Sequence, residues 1–181
     1  MNLSKPSRPA RKAPIRKSGF SAENVPDEIK TGIGELITQW SYVAFQLGVI
    51  IRVGFKIERD AGFALLFGSD LQPLCRALRT LAESKKWIPD AALRQDIKQL
   101  AADIQHKKDR RHDFAHGVFG LNEDMSGKAV FVRYRFSDLK QQQNKPASEI
   151  VTPEILRVLA DEAYDLGRRA QDLTVKLKGM R

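Results

Sequence analysis

At 181 residues the chain is long enough for one domain with a proper core and too short for two comfortable ones. A content of 42% hydrophobic and 29% charged residues is that of a folded globular protein and excludes fibrous and wholly disordered classes. The formal net charge of +9 points toward an anionic partner, and the single cysteine, Cys75, excludes an intramolecular disulfide framework.

The charge is unevenly spread. Lys5, Arg8, Arg11, Lys12, Arg16 and Lys17 fall within residues 1–18 with no acid among them, so six of the nine net charges lie there and the remaining chain is nearly balanced. Three prolines and few apolar residues make residues 1–22 an expected disordered basic tail, followed by a single helical domain over residues 23–181. Such a tail either grips phosphate backbones without sequence preference or only adds solubility. Its prolines spoil the amphipathic helix of an organellar transit peptide. The most apolar run, "YVAFQLGVIIRVGF", is interrupted by Gln46 and Arg52 well short of the roughly 20 apolar residues that span a bilayer. No membrane partner is expected, and the lone cysteine suits a reducing, cytoplasmic location.

In chain order, Pro26 to about Phe55 is the first predicted helix. Ile29, Ile33, Leu36, Trp40, Val43, Leu47, Ile50 and Ile51 recur at three- and four-residue spacing, and Asp27 and Glu28 suit the positive end of its dipole. Gly62 and Gly68 weaken the following segment to a short helix or a turn. Ser69 and Gln72 have the spacing of a capping box for a second long helix to about Ser84, with Leu71, Leu74, Cys75, Leu78 and Leu81 inward. On this reading Cys75 is a small core residue and not a nucleophile. Asp90 is a candidate N-cap for a third long helix to about Ala115, with Leu93, Ile97, Leu100, Ala101 and Ile104 inward. Asp103 and Lys107, at i and i+4, form an expected surface pair. The same face continues into Lys108, Arg111 and Ala115, so it either emerges from the core or opens onto a cleft.

From Gly117 the period changes to two, through "VFGL" and "KAVFVRYRF", which predicts a small β-hairpin over about residues 118–136. "SDLKQQQNKPASE" reads as a polar loop. Thr152 with Pro153 opens the last helix, to about Leu177, burying Ile155, Leu159, Ala163, Leu166, Ala170, Leu173 and Leu177. Four helices with one apolar stripe each predict a mainly α fold, an antiparallel four-helix bundle with the hairpin between the third and last long helices.

No phosphate-cradling glycine loop, zinc spacing or helical "HExxH" occurs, so neither a metal nor a cofactor is expected. The remaining chemistry lies in "KKDRRHDFAHGVFG". Cations near a helix end, and Gly117 just beyond it, are what the dipole and the C-cap favour without any function. That accounts for Lys107, Lys108, Arg110 and Arg111. It leaves unexplained why an inward face turns to Arg111 and why His112 and His116 accompany it.

The segment "RHDFAHG", Arg111 to Gly117, resembles the R-x4-6-H signature of the HEPN superfamily, commonly written "RNxxAHG". Arg111, Ala115, His116 and Gly117 match, while His112 stands where asparagine is usual. The resemblance extends in outline over about residues 26–178. It implies a homodimer in which two such motifs form one composite cleft and cut single-stranded RNA without metal. By that analogy Arg111 stabilises phosphate, His116 is the general base or acid, and His112 orients or adds a second proton-transfer group. An arginine fork suits a phosphorane's charge, and a histidine suits the 2′-hydroxyl proton. Lys107, Lys108, Arg110, Arg133 and Arg135 are weaker RNA-binding candidates.

The family often supplies the toxin of a toxin–antitoxin pair or a defence effector, which adds an antitoxin to the expected partners. Val118 stands two residues beyond His116, where members controlled by nucleotidylation carry tyrosine. Two alternatives stay open: a module of the same fold that binds RNA or a nucleotide without turnover, and a helical scaffold. Trp40 is expected in the core or a dimer interface. Trp87, beside Lys85 and Lys86, is either a loop anchor or a stacking surface.

Overall fold

The computed structural model describes residues 25–121, 129–133 and 147–180; at His116, 118–121, 129–133, 147 and 148 it describes the backbone alone. The predicted tail, the turn in "NEDMSG" and Arg135 lie outside the described residues. The chain is mainly helical, in the order α1 (Asp27–Gly54), α2 (Arg59–Leu66), α3 (Leu71–Glu83), α4 (Ala91–His116), β1 (Val118–Leu121), β2 (Ala129–Arg133), β3 (Ala147–Val151) and α5 (Pro153–Gly179).

The apolar stripe of α1 buries Ile29, Leu36, Trp40, Val43, Leu47, Ile50 and Ile51, and Trp40 is 4% exposed, a core residue. By length and composition α1 is apolar enough to cross a membrane, but half of its apolar window is buried against the other helices. Its most extensive partner is α5, followed by α3, with smaller contacts to α2 and α4. Gly167 makes the α1–α5 approach close, since a Cβ there would collide with the Tyr42 ring. Tyr42 in turn donates a hydrogen bond to Gln171 Oε1 at 3.0 Å and stacks on Tyr164.

Two helix starts are capped as the sequence predicts. Asp90 accepts from the Leu93 amide at 3.0 Å, and Thr152 Oγ1 from the Ile155 amide at 3.3 Å. The second long helix differs. Ser69 donates its hydroxyl back to the Leu65 carbonyl at 3.3 Å, and Asp70 occupies the N-cap position of α3 without a side-chain capping bond. The expected capping box does not form, because the hydroxyl closes the end of α2 instead.

The segment left between helix and turn is the eight-residue helix α2, started by Glu58, whose carboxylate accepts from the amides of Asp60 and Ala61. Those amides hold the Glu58 carboxyl below its usual range. Gly62 does not break α2; the alkyl stem of Arg52 crosses it, with Cδ 2.5 Å from where a Cβ would stand.

Leu74, Cys75, Leu78 and Leu81 of α3 are buried as expected, and Leu71 is half-buried. Burial pushes the Cys75 thiol up, against the opposing charges of Arg79 and Lys108. Along α5 the buried face takes Leu156 and Ala160 at its start in place of the predicted Ile155 and Leu159, then follows the predicted Ala163, Leu166, Ala170, Leu173 and Leu177. The seam between α4 and α5 is ionic at its edge: Asp103 with Arg169 at 2.7 Å, Lys107 with Glu162 at 2.8 Å and Asp96 with Lys176 at 3.3 Å. The expected Asp103–Lys107 pair within α4 is thus replaced by two bridges to the neighbouring helix.

The strands form an antiparallel sheet in the order β1-β2-β3, with Val118 opposite Val132 and Val130 opposite Ile150. β3 corrects the sequence reading, which placed residues 147–149 in a polar loop. Only Ile150 and Val151 carry apolar side chains of any size there, too few for period two to register.

Candidate functional site

The motif occupies the last turns of α4. At about 1.5 Å per residue, the 26 residues of α4 place the motif some 30 Å along the helix from its start at Ala91. The inward stripe of Leu93, Ile97, Leu100, Ala101 and Ile104 is buried throughout. Beyond Ile104 the core position passes to Phe114, 2% exposed, with Asp113 buried beside it at 6%. Lys108, Arg111 and Ala115 are only half-buried. The large apolar ring takes the interior, and the cations on the adjoining strip are left at its margin.

Arg111 stands where two open grooves meet. One, about 440 Å³, is lined by Asp70, Leu71 and Gln72 from the start of α3 and by Lys108, Asp109 and His112 from α4. The other, about 370 Å³, runs past Trp40, Phe45 and Phe67. Among the described residues the Arg111 side chain makes no hydrogen bond or ion pair, and its Nε is buried without a partner. A buried donor left in that state costs on the order of 1–3 kcal/mol.

The other candidates divide. Lys108 lines the 440 Å³ groove with its ammonium 3.6 Å from Asp109, and His112 is an exposed residue lining the same groove. Lys107 is held by Glu162 of α5. Arg110 forms a two-pronged pair with Glu149 of β3, both bonds 2.8 Å, and its guanidinium lies 5.3 Å from the centre of the Phe114 ring. The hydrogen bonds that Arg110 donates to the Glu149 carboxylate raise the Arg110 pKa. Arg110 therefore fastens the end of α4 to the sheet.

His116 is the final residue of α4, five residues after Arg111, which separates the two by about 7.5 Å along the axis and 140° around it. Its side chain, like that of Arg133 at the end of β2, lies outside the described residues, as does Arg135 altogether. Asp70, Leu71 and Gln72 were not among the candidates. They meet the motif only because the start of α3 packs beside the end of α4, and no local pattern in the sequence encodes that meeting.

An aromatic cluster borders the second groove. Phe67 contacts Phe45 and Phe63, with ring centres 5.1 and 4.2 Å apart, while Phe45, Phe63 and Leu65 are 44%, 43% and 68% exposed. Comparison of the whole chain with known proteins gives no match to a family model, to a curated protein or to a solved structure.

Proposed function

We propose that the chain is a metal-independent endoribonuclease of the HEPN type, a toxin or defence effector of the cytoplasm that acts on single-stranded RNA as a homodimer. On this reading the long helices form the family's antiparallel four-helix bundle, β1 and β2 are its hairpin, and an antitoxin protein is the natural partner. The observation that carries the reading is Arg111, an arginine unpaired among the described residues and placed at the junction of two open grooves. Cations of this kind bind phosphate oxygens, and the α3 N-terminus on the same groove adds the positive end of a helix dipole.

The chemistry follows from the residue types. A histidine takes the proton of a ribose 2′-hydroxyl, whose oxygen attacks the adjacent phosphorus. Arg111 neutralises the charge that builds on the phosphorane, and the bond from phosphorus to the 5′-oxygen breaks as that oxygen is protonated. The products are a 2′,3′-cyclic phosphate and a 5′-hydroxyl. The offset of Arg111 and His116 around α4 suits a site completed by a second subunit, where one chain's arginine meets the other's histidine. The exposed cluster of Phe45, Phe63 and Leu65 beside the Arg111 groove supports such a pairing, since contiguous apolar surface favours association.

A second reading rests on His112, which shares the Arg111 groove within one chain. It is a module that binds RNA phosphate without cutting. Cleavage of a mixed single-stranded RNA in EDTA separates the two, using wild type, Arg111→Ala, His112→Ala and His116→Ala with folding confirmed by circular dichroism. Cutting that Arg111→Ala and His116→Ala both abolish, with cyclic-phosphate ends, is the expected result. Binding without cutting leaves the module; cutting that survives both changes overturns the site.

A further inference from the structure

A third groove, about 570 Å³, lies at the opposite end of α4 from the motif, where the C-terminal turns of α1 and α5 meet the connection between α3 and α4. Its lining includes Arg52, Lys56, Lys86, Trp87 and Lys178, and no acidic side chain. Among the described residues none of these four cations has an ion-pair partner. Lys86 places its ammonium over the Trp87 ring, 5.2 Å from the centre, and Trp87 is wedged edge-on against Phe55. Glu58, the neighbouring acid, is engaged as the cap of α2.

Helix C-termini attract cations on their own account, but at α1 that need is already met by the backbone. The Lys56 amide donates to the Val53 carbonyl at 3.2 Å and the Ile57 amide to the Arg52 carbonyl at 2.9 Å, the paired bonds of a Schellman end. In that motif the residue with positive φ is ordinarily glycine. Here it is Lys56, with φ 57°, so the chain carries a strained backbone at a point where it gains an ammonium on the groove.

We propose that this groove is a phosphate-binding site, independent of the Arg111 site, that takes the phosphate groups of a nucleic-acid strand or of a free nucleotide through Lys56, Lys86 and Lys178 together with Arg52. Four cations converging on a groove with no acidic side chain in its lining form a site of positive potential, and phosphate is the anion that several separate ammonium groups hold together.

Trp87 supplies the assay, since the other tryptophan, Trp40, is buried in the core. Fluorescence of the full chain is titrated with pyrophosphate, with a nucleoside diphosphate and with a ten-residue oligothymidylate, which lacks the 2′-hydroxyl and is not cut. The expected result is a saturable change that Trp87→Phe removes, with affinity falling about tenfold or more in Lys86→Gln/Lys178→Gln. The slope of log affinity against log salt for the oligonucleotide should fall by about 1.4, from two lost contacts at about 0.7 each. Arg111→Ala should leave all of this unchanged, so the groove and the nuclease reading fail separately. Saturation by pyrophosphate and nucleotide alone assigns the site to free nucleotides; a response to the oligonucleotide only assigns it to a strand. No response to any probe overturns the proposal. So does undiminished affinity in the double variant, or equal competition by a glutamate-rich peptide, which would mark a protein-docking surface. Both exchanged lysines are exposed, and circular dichroism confirms the fold of each variant.

Discussion

Lys56 offers a test in which stability and binding move in opposite directions. Its φ of 57° places an L-residue in the left-handed region, at a cost of roughly 1–2 kcal/mol. Glycine carries no such strain but surrenders more unfolded-state freedom, up to about 1 kcal/mol. The difference leaves Lys56→Gly about 0.5–1 kcal/mol more stable than wild type. Lys56→Ala keeps the strain and loses only an exposed side chain, so it should lie within about 0.5 kcal/mol of wild type. For a domain of this size a gain of 1 kcal/mol raises the melting temperature by about 2–4 °C. Urea titration followed by circular dichroism at 222 nm measures both variants, since α1, α3, α4 and α5 dominate that signal. If glycine and alanine prove equally stable, the backbone at residue 56 is not strained and the reasoning fails. Both variants should weaken phosphate binding in the groove by similar factors, because both remove the ammonium.

Three further outcomes follow from other parts of the fold. Gly34 and Gly32 lie two residues apart in α1, yet a Cβ at Gly34 meets nothing within 4 Å while one at Gly32 stands 2.9 Å from Leu156. Gly34→Ala should therefore gain about 1 kcal/mol from helix propensity, whereas in Gly32→Ala overpacking of about 1–3 kcal/mol cancels or reverses that gain; equal shifts in urea midpoint would refute the α1–α5 packing. Burial works to raise the Asp103 pKa, but hydrogen bonds from Arg169 and Gln99 outweigh it and hold the carboxyl below its usual range. A depressed carboxylate stabilises above its unfolded value of about 3.9 and loses that contribution as pH falls through the folded value. Asp103→Asn should thus cost up to about 1 kcal/mol at pH 7 and progressively less below pH 4, and a pH-independent difference would contradict the assignment. In a double-mutant cycle, Arg110→Ala and Glu149→Ala should show coupling of about 0.5–1 kcal/mol, discounted because both side chains are about 40% exposed, and fading in 1 M salt.

The long helices were open to prediction because each is amphipathic over many turns. Leu93 to Ile104 recurs at helical spacing, and Asp90 and Thr152 offer oxygens to the first free amides of α4 and α5; periodicity and capping are local properties that a single chain displays. The failures share one cause. At Ser69 two uses of a hydroxyl compete, and in the fold it closes the end of α2 on the Leu65 carbonyl. At Asp103 an intrahelical lysine lost to Arg169 on α5, which is invisible until α4 and α5 are side by side. Gly62 reads as a breaker in isolation, but in the fold it is the space through which Arg52 crosses.

The candidate site divides along the same line. By itself the sequence determined that Arg111, His112 and His116 share the end of one helix, because a helix of 3.6 residues per turn fixes their spacing whatever surrounds it. Only the tertiary structure decided which of the neighbouring cations are engaged. Arg110 is bound by Glu149 and Lys107 by Glu162, while Arg111 has no partner among the described residues where α3, α4 and the α1–α2 surface meet. The groove around Trp87 belongs wholly to that second category. Arg52, Lys86 and Lys178 are far apart in the chain, and their convergence depends on how α1 and α5 end side by side, since charge gathered from separate elements leaves no signature in any one of them.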